Sequence, residues 1–439
     1  MRLTRLAAIL ALVAALAAPA AGAAERLIIV SPHQLSIKNE YGRAFSEWYA
    51  SQTGQAVEVE WLDVGGTSDI LKYLQAEYAR QPDGVGIDIM WGGGVDPYLE
   101  LADNGLLQAY KLPDDQLSLI PAELFGVPIY DPQYRWYGSA LSGFGIIYNK
   151  EVLRRLGLPE PRTWADLADP AYRNWVGTID LRHSGVGHAA VEIIMQALGW
   201  EKGYATIARM AGNTRTFTRS SSDVPRAVAA GDLALGASID FYAWAQVAQY
   251  GSDRIGFVLP DGLTVINPDS IAILKGAPHL ALAQAFLRFV LSEAGQKLWL
   301  LPAGAPGGPR EETLGRMAVL PEAYETAGTA SVVPINPFAL NNLLSYDAEK
   351  GSERYALLND LVGATLIDPH DVVQATWSAI VDAGMDPEAL AAYDRVPISE
   401  SEAMEMTDRW NDQGFRNRRI AEWSAWAVRR LSEARALAR

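Results

Sequence analysis

Short polar stretches that follow apolar runs hold the residues best suited to chemistry. Ser31-Pro32-His33, Asp63 to Asp69 (DVGGTSD) and Gly92-Gly93-Gly94 come first in the chain. Asp180 with His183, Ser184 and Gly185 forms a fourth stretch, Ser220-Ser221-Ser222 a fifth, and Asp240-Phe241-Tyr242 a sixth. Hydroxyls and backbone amides at the start of a helix favour an oxyanion, because first-turn amides lack an intrahelical acceptor and the helix dipole puts its positive end there. The candidate contacts are therefore Ser31, Gly65, Gly66, Thr67 and Ser68 on one side, and Ser184, Gly185 and Ser221 on the other. For Thr67, Ser68 and Ser221 the competing role is an ordinary helix cap, contributing about 1 kcal/mol each. His33, Asp180 and Asp240 add titratable groups, and Asp240 suits an ammonium, so a zwitterion would use both kinds of feature. Gly92 and Gly93 allow close backbone approach. Tyr137, Ser139 and Tyr242 supply further polar walls.

Several chemistries are disfavoured by the same residues. The glycine run lacks G-x-G-x-x-G spacing and no Gly-Lys-Ser/Thr follows it. Neither a G-x-S-x-G elbow nor an H-E-x-x-H pair is present, and with no cysteine there is no thiol nucleophile. Asp180, His183 and His188 fit no zinc spacing. A binder without cofactor is the reading, and a secreted hydrolase with paired carboxylates is the remote alternative, since such a pair needs no local motif.

Strands must place these loops. Arg26 to Val30, Val57 to Leu62 and Ile87 to Trp91 are compact apolar runs, each leading through a polar loop to an amphipathic helix, the first near Asn39. Repeated strand-loop-helix units predict a parallel sheet, which binds ligands at the carboxyl ends of its strands. Phe144 to Tyr148 and Val176 to Ile179 read as buried strands, with a helix Lys150 to Leu156 between them ending at Gly157. Leu233 to Ile239 is another strand, and Gly256 to Leu274 predicts two short strands broken at Pro260-Asp261-Gly262. Beyond Leu301 the pattern turns helical, with stretches near Leu357 to Val362 and Val372 to Ala383. A capping box at Ser399 to Glu402 opens a final helix pair.

The chain has 439 residues, 49% hydrophobic and 20% charged, more than one hydrophobic core usually serves, so two lobes are expected. Its net charge of -15 argues against nucleic-acid partners. Arg2 and Arg5, an apolar run and a small-residue end near Ala23 read as a cleavable secretory signal over residues 1-24. Export without cysteine suits the bacterial periplasm.

One run carries a resemblance. From Ser139 to Gly187 a strand ending in Tyr148-Asn149 is followed by a helix to Gly157-Leu158-Pro159. A Thr163-Trp164-Ala165-Asp166-Leu167 turn and a strand running into Ser184-Gly185 complete it. This order, within Leu27 to Leu300, resembles the type II periplasmic solute-binding proteins of ABC importers, in the branch with ferric-ion, polyamine, thiamine and phosphonate binders. The resemblance implies a two-lobed α/β fold with residues 25-138 in lobe 1, 139-258 in lobe 2 and 259-300 returning to lobe 1. The lobes would close about hinge strands near Gly138 to Tyr148 and Gly256 to Ile266. Residues 301-439 would be an added helical extension packed on a lobe. It also implies a monomer that captures a small solute, a phosphonate, sugar phosphate or carboxylate, and delivers it to an inner-membrane ABC permease. Ferric-ion binding is the alternative, with Tyr242, Asp240 and His33 as ligands. The ferric binders' adjacent tyrosine pair is matched here by Phe241-Tyr242.

Overall fold

The computed structural model describes residues 25–438; the signal expected over residues 1-24 lies outside them. Three parallel strands begin the chain, β1 (Glu25–Val30), β2 (Val57–Leu62) and β3 (Ile89–Trp91). Each leads through a polar loop into a helix: α1 (Leu35–Thr53), α2 (Thr67–Arg80) and α3 (Asp96–Asp103). Helix α1 starts four residues before the expected Asn39, because Ile37 and Tyr41 are both fully buried on its inner face. That face meets an aromatic layer in which Tyr41 and Phe45 lie against Trp91, Phe286, Phe289 and Trp299.

The next strand, β4 (Tyr137–Asn149), is 13 residues long and buried throughout. It is followed by β5 (Val176–Ile179), β6 (Thr214–Thr218), β7 (Leu235–Ile239), β8 (Ile255–Val258) and β9 (Ile266–Leu274). Along the sheet the order is β2-β1-β3-β9-β4-β7-β5-β6, with β8 on β4 and residues 107–108 on β9. Strand β4 pairs with β9 through Tyr137 to Gly143, and with β7 through Phe144 to Tyr148. A single strand thus belongs to both halves of the molecule, and the chain returns from β8 beside its second part to β9 beside its first. The sheet is mixed: β1, β2 and β3 are parallel, β5 is parallel to β6 and β7, and β9 runs antiparallel to β3 and β4. Crossover helices in the second half include α4 (Gly185–Leu198), α5 (Trp200–Asn213) and α6 (Asp240–Tyr250).

The segment beyond residue 301 is more elaborate than the two stretches and a helix pair expected. It holds α7 (Ala348–Glu353), α8 (Tyr355–Val362), α9 (His370–Asp382), α10 (Pro387–Asp394), the eight-residue helix Glu400–Thr407 and α11 (Gln413–Leu437). The capping box is formed, with the Ser399 and Glu402 side chains exchanging hydrogen bonds with each other's backbone. One continuous apolar core joins this region to α2 and α3 of the first lobe and to α4 and α5 of the second. It therefore meets both lobes, where the sequence suggested packing on one. Its apolar residues fall at helical spacing, but nothing in that spacing says which surface they cover.

Candidate functional site

Helices α2 and α4 start on opposite sides of a cavity of about 580 Å³, whose wall combines residues of both lobes. On the α2 side lie Gly65, Gly66 and Thr67, together with His33 and Gly93 from the neighbouring strand ends. Facing them are Ser184 and Gly185 at the start of α4, with Ser221 and Tyr242. These nine residues were read from the sequence as contacts, and the fold brings them to one place.

Glycine is required where the two sides meet. A Cβ on Gly66 would stand 2.0 Å from the His183 carbonyl oxygen, and one on Gly93 would stand 2.4 Å from Thr67 Cγ2. Thr67 is thus wedged between Gly93 of its own lobe and Gly185 of the other, where a Cβ would lie 3.1 Å away. Lys72 Nζ donates to the Arg182 carbonyl at 3.0 Å, and Ser68 Oγ donates to the Leu181 carbonyl at 3.4 Å. The lobes are in contact along this line, so the arrangement is a closed one.

The other sequence candidates serve the wall from behind. Ser31 Oγ accepts the His33 amide at 3.1 Å and fixes the loop. Ser68 is held by Tyr355, Oγ to Oη 2.7 Å. Gly92 is tied into the sheet, its amide donating to the Ser270 carbonyl at 2.8 Å. Ser139 accepts from Trp91 Nε1 and donates to the Asp269 carbonyl, each at 2.7 Å. The Tyr137 hydroxyl donates to the Tyr110 carbonyl at 2.8 Å inside lobe 1. Asp180 is occupied by the Arg182 guanidinium at 2.8 Å. Asp240 is buried, accepting from the amides of Gly143 at 2.8 Å and Phe241 at 2.6 Å, so it does not face the cavity as an ammonium partner or metal ligand. Burial raises its carboxyl to about 7.

The hydroxyls divide differently between capping and wall than expected. Ser184 is the cap of α4, accepting the Gly187 amide at 3.3 Å, and it also bonds Ser221 at 2.7 Å, Oγ to Oγ. Neither Thr67 nor Ser221 caps a helix, since the N-cap of α2 is Gly66 and that of the helix Asp223–Ala230 is Ser222.

Sequence reading missed the charged floor of the cavity. Arg316 is 1% exposed and its guanidinium donates to Asp269 Oδ2 at 2.6 Å and to Ser142 Oγ at 2.8 Å. The guanidinium lies over Phe241, 4.2 Å from the ring centroid, and near Trp299 at 5.1 Å. His33 Nε2 also meets Asp269 Oδ2, at 2.6 Å. Burial alone would raise the Asp269 carboxyl, but Arg316 and His33 beside it hold it down at about 2. Burial keeps His33 below its ordinary value, so at neutral pH the ring is uncharged. One donor is left over, Arg316 Nε; His33 Nδ1, an acceptor in the uncharged ring whose Nε2 donates to Asp269, is likewise buried without a partner among the described residues. Arg219 and Asn267 also line the cavity. A signal for the floor existed in sequence, since Arg316 stands in an apolar run with Met317 to Leu320 and Asp269 in INPDSIAIL. A lone charge in such a run is usually buried and paired.

Burial also raises the Tyr242 phenol above its ordinary value. Among the described residues no three His, Asp or Glu side chains are grouped to hold a metal ion.

Residues 95–312 match the family of bacterial extracellular solute-binding proteins. Among curated relatives, the phosphoglycerate transport regulatory protein PgtC of Salmonella typhimurium is 24% identical over 291 residues, 65% of this chain and 69% of that one. Among solved structures, the periplasmic binding protein AfuA of Actinobacillus pleuropneumoniae, with fructose-6-phosphate bound, superposes with a TM-score of 0.63. It is 23% identical, and the match covers 77% of this chain and 98% of that one. Iron-bound HitA of Pseudomonas aeruginosa gives 0.58 at 20% identity, covering 77% and 99%. At these identities the solved structures speak for the fold alone, a two-lobed α/β architecture.

Proposed function

We propose that this chain is a solute-binding protein of the type that serves ABC importers, and that its solute is a small organic anion held between the lobes. A phosphonate, sugar phosphate or carboxylate is meant, and the ligand leaves unchanged, so the protein is no enzyme. The observation that carries this reading is the cavity wall. It offers the starts of two helices, a buried guanidinium with an unpartnered Nε, and a second arginine, Arg219, around about 580 Å³. Arg316 is the anchor: Asp269 and Ser142 fix its orientation, while its remaining donors meet an oxyanion.

His33, Gly65, Gly66, Thr67, Gly93, Ser184, Gly185, Ser221 and Tyr242 surround the ligand, and the lobes close about β4 and the crossing from β8 to β9, Gly256 to Ile266. Ligand that touches both lobes only in the closed form shifts the population toward closure. The closed monomer, exported to the periplasm through residues 1-24, then presents the solute to an inner-membrane permease.

The test is native mass spectrometry of the protein purified from a bacterial periplasm, then calorimetric titration with 3-phosphoglycerate, fructose-6-phosphate and ferric citrate. A bound organic anion that titrates with micromolar or tighter affinity and is recovered intact supports the reading. Recovery of iron together with tight ferric binding overturns it. That result would favour the alternative in which Tyr242 and His33 are ligands.

A further inference from the structure

The region beyond residue 340 touches the two lobes very unequally. Against the second lobe it is welded by apolar packing and buried polar pairs. Trp377 of α9 is fully buried, its Cγ 2.4 Å from where a Cβ on Gly212 would lie, and its Nε1 donates to Asn213 Oδ1 at 2.6 Å. The Tyr393 hydroxyl of α10 donates to the Ala208 carbonyl at 2.9 Å. Arg354 is fully buried against Glu192 of α4 at 2.7 Å.

Against the first lobe, apolar side chains of α2 and α3 share the same core, and the polar contacts are made by hydroxyls. Tyr346 Oη donates to Asp96 Oδ2 at 2.8 Å, Ser352 Oγ donates to the Asp96 carbonyl at 3.2 Å, and Tyr355 Oη meets Ser68 Oγ at 2.7 Å. Tyr355 is the shared piece: its ring stacks on His188 of the second lobe with centroids 3.7 Å apart, while its hydroxyl reaches across. Ser68 and Asp96 sit in the first turns of α2 and α3, next to the cavity residues Thr67 and Gly94.

We propose that the C-terminal region is a latch on the cleft. It moves as part of the second lobe, and its hydroxyls grip the first turns of α2 and α3 only when the lobes are closed. The inference rests on reading the cavity as a hinged-lobe site. Hinge opening separates α2 and α3 from α4, so these three hydrogen bonds and the apolar contact beside them must break while the packing on α5 stays. The closed state therefore gains from the extension as well as from ligand, which lengthens the time a solute stays enclosed.

Because the sequence has no cysteine, a spin-label pair can be introduced cleanly at Gln52→Cys on lobe 1 and Arg155→Cys on lobe 2, both exposed. Pulsed electron resonance on the full chain without added ligand then reads the lobe separation. Tyr346→Phe with Tyr355→Phe removes two of the three hydrogen bonds, and the ratio of open to closed molecules should rise on the order of ten-fold. An unchanged distance distribution in a folded double variant overturns the latch, and if the double variant does not fold, Ser68→Ala decides by the same criterion. The ligand titration described above is independent of this distance. Failure to bind any anion would sink the binding reading, and an unmoved distance would sink the latch alone.

Discussion

Two buried aspartates, one in the cavity floor and one at the lobe junction, behave in opposite ways. Asp269 is held at about 2, because Arg316 and His33 outweigh the cost of its burial. Asp96 is raised to about 7, because burial dominates and its principal help is one Tyr346 hydroxyl. Among the described residues its Oδ1 has no partner, and neither does the Nε2 of His188, 3.9 Å from its Oδ2. Nearby Glu192 raises it further, and the Arg354 charge is largely taken by Glu192 itself. Burial alone does not decide whether a carboxyl is charged; the supply of a cation does. The floor is built to hold charge permanently, whereas the junction is built near the balance point.

The sharpest way to break this contrast is to remove the cation. Arg316→Met leaves Asp269 buried without its cation, held only by His33 and the Gly93 amide, and should cost about 3–5 kcal/mol of stability, read by urea unfolding at neutral pH, together with loss of anion binding. Full retention of both would mean that the guanidinium is neither the partner of Asp269 nor the anchor. Next in size is Gly66→Val, which puts a side chain on the His183 carbonyl. It should lower anion affinity a hundred-fold or more by blocking closure, with little change in melting temperature, since each lobe is intact. Normal affinity would show that the lobes do not need to meet along this line.

A pH series sharpens the other half of the comparison. The Asp96 carboxyl binds its proton more tightly when buried than in the unfolded chain, so its burial is most costly above about pH 7. That cost is relieved as pH falls from about 7 toward 4. Asp240, also near 7, acts in the same direction. The wild type should therefore gain melting temperature between pH 8 and pH 5 from both groups, and Asp96→Asn should gain less. Equal slopes in the two proteins would remove Asp96 from the account. The smallest effect expected is for Ser184→Ala, about 1 kcal/mol for the lost cap of α4, with anion affinity lowered only slightly because its hydroxyl is already engaged by Gly187 and Ser221.

What could be read from the sequence followed a physical divide. Strands β1, β2 and β5 and the helix after Tyr148 carry local signals of apolar runs, caps and stop residues, so their bounds appear in the residues themselves. The loops that end in Thr67 and Ser184 were likewise legible as strand, loop and helix, the order that puts loops at one end of a parallel sheet, and both line the cavity. Arg316 and Asp269 were not, since their pairing joins residues far apart in sequence and has no motif. Asp240 and Asp180 looked like ligand contacts by position alone. Only their partners, the Gly143 amide and Arg182, reveal that both carboxylates are already used. The role of Tyr355 was invisible for the same reason: a tyrosine in a helical stretch gives no hint that its ring serves one lobe and its hydroxyl the other.

The placement of β9 between β3 and β4 governs the order in which the chain can finish. The first lobe begins with residues 25 to 91, yet its sheet lacks a central strand until residues 266–274 arrive, and its charged floor waits for residue 316. Strands β5, β6 and β7 have no such wait. During synthesis or threading across a membrane from the amino end, the sheet of the half that starts second can be completed first. The opening strands meanwhile stay exposed on one edge, in need of protection from pairing with other chains.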